Sequence, residues 1–276
     1  MTKKLNLLIL LCAISLISFG QYSTNPLLTA QQKKQQRQQH INQLMKEQEE
    51  GTLVFQKQNA FGIKLNTDGL GFFFEHGKYK TVTKTNLWWA ELGERHDPKE
   101  DKQSNIYSDD FGDVYQGNPF IYGKINNFYY LRFGIGQQLL IGGKGAQNGV
   151  AVSFIYGGGI SLALMKPYYL NVTDSLGNTS DIRYSAQTDS AFLGYTDDIN
   201  QGSGFGKGLN EISVIPGINA RAALRFDYGR FNRVLSAVEV GVNAEYYTKD
   251  IQIMVYEAPE KFYFSGYLAF VFGSRK

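Results

Sequence analysis

From residue 60 onward the chain alternates. Phe61, Ile63 and Leu65 are separated by Gly62, Lys64 and Asn66. A Thr67-Asp68-Gly69 turn signal leads to Leu70, Phe72 and Phe74. Successive side chains on a strand point to opposite faces, so a period of two predicts strands that are apolar on one side. A third strand is expected near 85–93, with Trp88 and Trp89. A fourth sets Tyr129, Leu131, Phe133 and Ile135 against Tyr130, Arg132, Gly134 and Gly136. A fifth sets Val150, Val152, Phe154 and Tyr156, then Ile160, Leu162 and Leu164, against mostly Gly, Ser and Ala, with Ile155 the exception. The sixth, "EISVIPGINARAALRFDYGR" (211–230), is clearest: Ile218, Leu224 and Phe226 share one side, Arg221, Arg225 and Asp227 the other. The seventh opposes Val238, Val240, Val242 and Tyr246 to Glu239 and Glu245. In the eighth, Phe262, Phe264, Leu268, Phe270 and Phe272 share a side with Gly266.

The connections alternate in length. Those after strands two, four and six are short; those after three and five, near 94–120 and 166–210, are long, and the one after seven is moderately so. The first link is the short exception. An even count of antiparallel strands with short turns at one end and long loops at the other predicts an all-β, eight-stranded antiparallel transmembrane β-barrel over 59–276.

Alternation alone also fits a soluble barrel, apolar inside and polar outside. The minor face decides between them. A water-facing exterior would be dense in Lys, Glu, Thr and Gln. This one is Gly, Ser, Ala and Asn, with sparse charges at Lys64, Arg132, Arg221, Arg225, Asp227, Glu239 and Glu245. Small residues and a few opposite charges suit the inside of a narrow tube, and eight strands leave room only for side chains. The apolar face therefore meets lipid. Arg132, Arg221, Arg225, Asp227, Glu239 and Glu245 form a lumen ion-pair network. Tyr129, Tyr168, Tyr169, Phe226, Tyr228 and Tyr246 form an interfacial aromatic girdle.

The remainder of the chain sets the compartment. Lys3 and Lys4 precede an apolar run, Leu5 to Phe19, and small residues around Gly20 suit cleavage, so residues 1–20 read as a secretory signal peptide. That run is short for a span of about 20 residues. Residues 21–58, rich in Gln, Lys and Glu, carry only a thin apolar stripe (Ile41, Leu44, Met45) and read as a periplasmic arm, helical or disordered. The single Cys12 lies inside the signal, so the remaining chain has no disulfide and no thiolate metal site. Loss of Lys3 and Lys4 takes the formal charge from +3 to +1, which suggests no nucleic-acid partner. With 30 Gly, 18 Tyr, 19 Phe and 6 Pro, the composition favours strands over helices.

The signal "KKLNLLILLCAISLISFGQ", the strand pattern and the ending "YFSGYLAFVFGSRK" resemble the small outer-membrane β-barrel proteins of Bacteroidota, similar to the eight-stranded OmpA-like and PorT-like barrels. "NAFGIKLNTDGLGFFFEHGKYK" (59–80) resembles part of a family pattern. The likeness covers 60–276. It implies an outer-membrane location and an aromatic C-terminal signal for barrel insertion, from which this chain departs by carrying Gly273 to Lys276 after its last aromatic residue.

Candidate chemistry is thin. His40, His76 and His96 show no metal-ligand spacing. His96, Glu94 and Ser104 lie where an outer-rim hydrolase site could sit, although a solvated loop contains such residues anyway. "GSGFGKG" (202–208) is no phosphate loop, because Gly208 follows Lys207 where Ser or Thr is required and no strand-to-helix junction is expected. Asp174-Ser175-Leu176 and Asp189-Ser190-Ala191 resemble the Bacteroidota O-glycosylation triplet, making Ser175 and Ser190 possible acceptors. The sequence thus points to a non-enzymatic barrel without cofactor. It would act as a scaffold or accessory subunit of a larger outer-membrane assembly or secretion complex, contacting lipid directly and protein partners through its loops or arm. The alternatives are a small pore or ligand-binding porin-like protein and, further off, an outer-membrane hydrolase.

Overall fold

The computed structural model describes residues 34–35, 37–39, 56–81, 83–108, 114–143, 149–173, 177–194, 199–229 and 233–276. The chain divides into two units, residues 1–52 and 53–276. In the first, the described residues are helical and exposed. The signal segment, most of the arm and Ser175 lie outside the described residues.

The second unit is a closed antiparallel barrel of eight strands: β1 (Lys57–Asn66), β2 (Gly69–Tyr79), β3 (Lys84–Arg95), β4 (Asn126–Gly142), β5 (Ala151–Pro167), β6 (Ser213–Asp227), β7 (Val234–Ile251) and β8 (Glu260–Arg275). Each strand pairs with its neighbours in sequence, and β8 closes on β1 from Gln58↔Arg275 to Asn66↔Tyr267. Closure leaves no unpaired edge. The first strand opens two residues before residue 59. The long loops are displaced too, because β3 runs on to Arg95 and β5 to Pro167, so they span 96–125 and 168–212.

Alternation is kept round the whole ring. In β6, Ile218 is 63% exposed and Leu224 40%, while Arg221 and Arg225 are buried. Pro216 has no N–H to donate to a ladder. Its carbonyl accepts from Thr248 Oγ1 of β7, so its missing N–H also faces β7, where pairing starts only at Gly217↔Tyr247.

Three glycines of β4 and β5 share one cause. Trp89 of β3 is buried in the bore and lies on a floor of Gly134, Gly136 and Gly157. A Cβ on Gly134 would sit 2.2 Å from the indole, and one on Gly157 2.7 Å. Bare backbone there is the space the indole occupies. The Arg221 guanidinium stacks on the same indole at 4.2 Å.

Apolar side chains fill the bore on both sides of its charges. Ala60, Leu87, Ile155, Leu235, Ala237 and Val271 pack toward the end with the short turns. Phe128, Tyr247, Tyr263, Met165 and Ile215 pack toward the long loops, joined by Ile121, Ile253 and Met254 from those loops. The loops carry a small core of their own. Tyr169–Thr173, Thr179–Arg183 and Ile199–Gly202 form a three-stranded sheet, and Phe120, Leu170, Val172, Phe192 and Ile199 are buried together beside it.

Candidate functional site

The charged layer of the bore is built by strand register. Arg225 and Glu239 are direct partners across β6 and β7, and Glu91 and Arg132 across β3 and β4, all facing inward. Adjacent strands bring such pairs into contact. Other bonds cross the tube. Glu75 of β2 accepts from Arg225 at 2.7 Å and from Arg221 at 2.8 Å, and β6 is four strands from β2, the opposite wall. Glu245 of β7 accepts from Arg132 and, at 2.9 Å, from Arg95 of β3, again the opposite wall. Lys64 reaches Glu91 at 2.6 Å, and Arg95 reaches Asp68 at 2.5 Å.

The ledger of this layer is even: Lys64, Arg95, Arg132, Arg221 and Arg225 face Asp68, Glu75, Glu91, Glu239 and Glu245. All but Asp68 are buried. Uncompensated charge inside low-dielectric walls is costly, so equal numbers and short contacts are what such a site requires. Tyrosines satisfy remaining carboxylate lone pairs. Tyr267 donates to Glu239 at 2.6 Å, Tyr130 to Glu91 at 3.2 Å, and Tyr247 to Glu245. Arginine faces are covered by rings: Arg132 by Tyr130 at 3.7 Å and Arg95 by Tyr263 at 4.5 Å. The arrangement braces opposite walls and occupies the cross-section.

Of the expected network residues, Arg132, Arg221, Arg225, Glu239 and Glu245 come together here. Asp227 does not. It lies at the short-turn end of β6 and pairs with Arg275 at 2.8 Å. Glu75, Glu91 and Arg95, three central members, were not anticipated from the sequence; the strand parity that places Arg225 inward would have found the first two.

Tyr129, Phe226, Tyr228 and Tyr246 lie on the outward face near strand ends. Tyr168 and Tyr169 do not belong with them. Pro167 ends β5, Tyr168 is the link and Tyr169 opens the loop sheet: the Tyr168 hydroxyl accepts from the Ile121 N–H at 3.1 Å, and Tyr169 donates to Glu211 at 2.8 Å.

At the outer rim, both ring nitrogens of His96 are engaged, Nδ1 with Glu100 at 3.1 Å and Nε2 with Glu94 at 3.2 Å. Neither nitrogen is left to act as a base toward Ser104. Glu100 also accepts from Lys124 at 2.7 Å. The hydrogen bond to Glu100, then to Glu94, raises the His96 pKa against the opposing effect of partial burial. Beside this cluster is a cleft of about 380 Å³ lined by Asp68, Arg95, His96, Lys99, Glu257 and Tyr263. Ser190 is exposed on the short helix Asp189–Phe192. Among the described residues, no three His, Cys, Asp or Glu side chains gather as a metal site.

No family model and no curated protein matches the chain. Among solved structures it is similar to Ail, the attachment invasion locus protein of Yersinia pestis, at 9% identity over 80% of this chain and 98% of that one, TM-score 0.32, in a complex with the heparin analogue sucrose octasulfate. It is also similar to Neisserial surface protein A, at 9% identity over 80% of this chain and 96% of that one, TM-score 0.36. Likeness at this level says nothing of what the chain binds or does.

Proposed function

We propose that the chain is a non-enzymatic outer-membrane barrel that serves as a scaffold or accessory subunit of a larger outer-membrane assembly or secretion complex. The observation that carries this reading is the braced bore. Ion pairs from wall to wall, with apolar side chains packed on either side, favour a rigid anchor over a conduit. An outward face of Phe, Ile, Leu and Val on all eight strands is what acyl chains would solvate. Loops that fold on a core of their own offer a defined surface for a partner. The arm that precedes β1, from residue 21, belongs to the same reading as a periplasmic segment, as does the affinity to PorT-like barrels of Bacteroidota.

Isolation in mild detergent tests it. A protein partner should co-purify, be lost from Phe192→Ala, whose loops are loosened, and planar bilayers should show no channels. Reproducible wild-type channels would overturn the reading in favour of a pore.

One observation favours a second reading, a binder of a small ligand: the cleft beside Arg95, where acidic and basic side chains converge at the mouth of the barrel. Calorimetry with small amino-acid and sugar-phosphate ligands, compared between wild type and Lys99→Ala, tests that alternative.

A further inference from the structure

The segment Ser203–Glu211 is held tightly yet keeps two apolar side chains in the open. Phe205 is 69% exposed and Leu209 42%. The backbone around them is fixed. The Ser203 N–H donates to the Tyr169 carbonyl at 3.0 Å, the Lys207 N–H to Gly204 at 3.0 Å, and the Glu211 N–H to Gly208 at 3.1 Å. Gly208 has φ +80°, which favours glycine. Lys207 pairs with Asp181 at 2.7 Å, and Ser203 Oγ donates to the same carboxylate at 2.9 Å. A loop so pinned could have turned Phe205 into the neighbouring loop core. It carries the ring to the barrel wall instead.

Two outward-facing residues at the loop end of the wall receive it. The Phe205 ring meets Tyr129 of β4 edge-on, 6.4 Å between centroids. The Lys166 ammonium of β5 lies 4.4 Å above the ring and donates to the Phe205 carbonyl at 2.6 Å. Tyr129 is paired with Leu164, and Leu164 with the exposed Val214. Tyr129 and Phe205 thus extend the outward apolar surface of β4 and β5 toward the loops, with the Lys166 ammonium tucked beneath the ring, and Leu209 is exposed on the same pinned segment.

We infer that Ser203–Glu211 is a lipid-seated anchor that places Phe205 and Leu209 in the outer leaflet beside Tyr129 and fixes the height of the loop sheet above the membrane. The occupant is the bilayer, because the Phe205 ring, against Tyr129, continues the surface that the proposed function gives to acyl chains, and Leu209 is exposed four residues on in the same segment. The inference rests on that reading, and the test separates the two.

Two tryptophans are native: Trp88 faces outward and Trp89 is buried in the bore. Wild-type protein in vesicles of brominated phosphatidylcholine should lose its Trp88 emission, which reports the lipid-facing wall alone. In a Trp88→Phe background, Phe205→Trp should add blue-shifted emission that brominated lipid removes at every protein-to-lipid ratio. If Trp88 is quenched but the added emission is red-shifted and unquenched, the anchor is wrong and the wall stands. Blue-shifted emission that bromine leaves intact and that fades on lipid dilution would mean a second copy of the chain covers Phe205, also overturning the anchor. If Trp88 is not quenched either, the lipid-facing wall fails as well.

Discussion

Arg225 touches two carboxylates, its neighbour Glu239 and the distant Glu75, and is fully buried. Removing it leaves Glu239 without its guanidinium and Glu75 with Arg221 alone, so the buried layer is one cation short. Breaking one side of a buried pair costs about 3–5 kcal/mol, whereas isosteric apolar replacement of the whole set can be neutral. Arg225→Ala should therefore lower the unfolding free energy by about that amount, read from urea titration of barrel fluorescence. A fall below about 1 kcal/mol, the size of an exposed pair, would show that the bore is wet. Trp89 and its glycine floor make a steric counterpart. Gly134→Ala puts a methyl where the indole lies. Overpacking of this kind costs about 1–3 kcal/mol. The penalty should shrink when Trp89→Leu is made in the same chain, because contacting positions do not add. Equal penalties in both backgrounds would place the indole elsewhere.

At the scale of elements, the loop sheet should come apart independently of the barrel. Phe192 is buried among Leu170, Val172 and Ile199 and touches no barrel strand in that cluster. Truncating a buried Phe costs about 3–5 kcal/mol. Phe192→Ala should make residues 168–212 sensitive to protease while the barrel keeps its heat-dependent gel shift. Loss of both together would show one cooperative unit. The His96 cluster gives the outer cap a pH dependence. Its folded pKa is raised above the ordinary 6.5. The contribution is therefore fully present below that value and fades as pH rises through the higher folded value. Hydrogen exchange in residues 96–103 should quicken across that rise in wild type, and His96→Gln should flatten the profile.

The eight wall strands were legible because each repeats a two-residue period long enough to outvote local noise. Glu75 was missed because the apolar run stops at Phe74, and the outward His76 and Lys78 disguise two further turns of the pleat. Glu91 was missed because Trp88 and Trp89 are adjacent and only parity tells the exposed indole from the buried one. Arg95 lies in the run "ERHDPKEDK", where a strand end cannot be told from a solvated loop. The loop sheet was illegible because its strands are too short for a period of two to stand out, and Ile199–Gly202 pairs back with Tyr169–Thr173 across a long separation that nothing local records.

For the whole molecule, register, bore and wall are one constraint. A one-residue slip in any strand would turn its charges toward the apolar side and its Phe or Ile inward. Wall-to-wall ion pairs exist only in the native register, so they select it even where they add little net stability. The same parity gives the wall its apolar band, and closure removes the edges that acyl chains could not solvate. The most direct test of this claim is a nitroxide accessibility scan along β6 in lipid vesicles, with single cysteines at Ala220, Ala222 and Leu224 and at Asn219 and Ala223, in a chain free of Cys12. The even positions should collide with oxygen and the odd positions with neither oxygen nor a water-soluble nickel reagent. Nickel collisions at Asn219 and Ala223, or oxygen collisions that favour the odd positions, would contradict it.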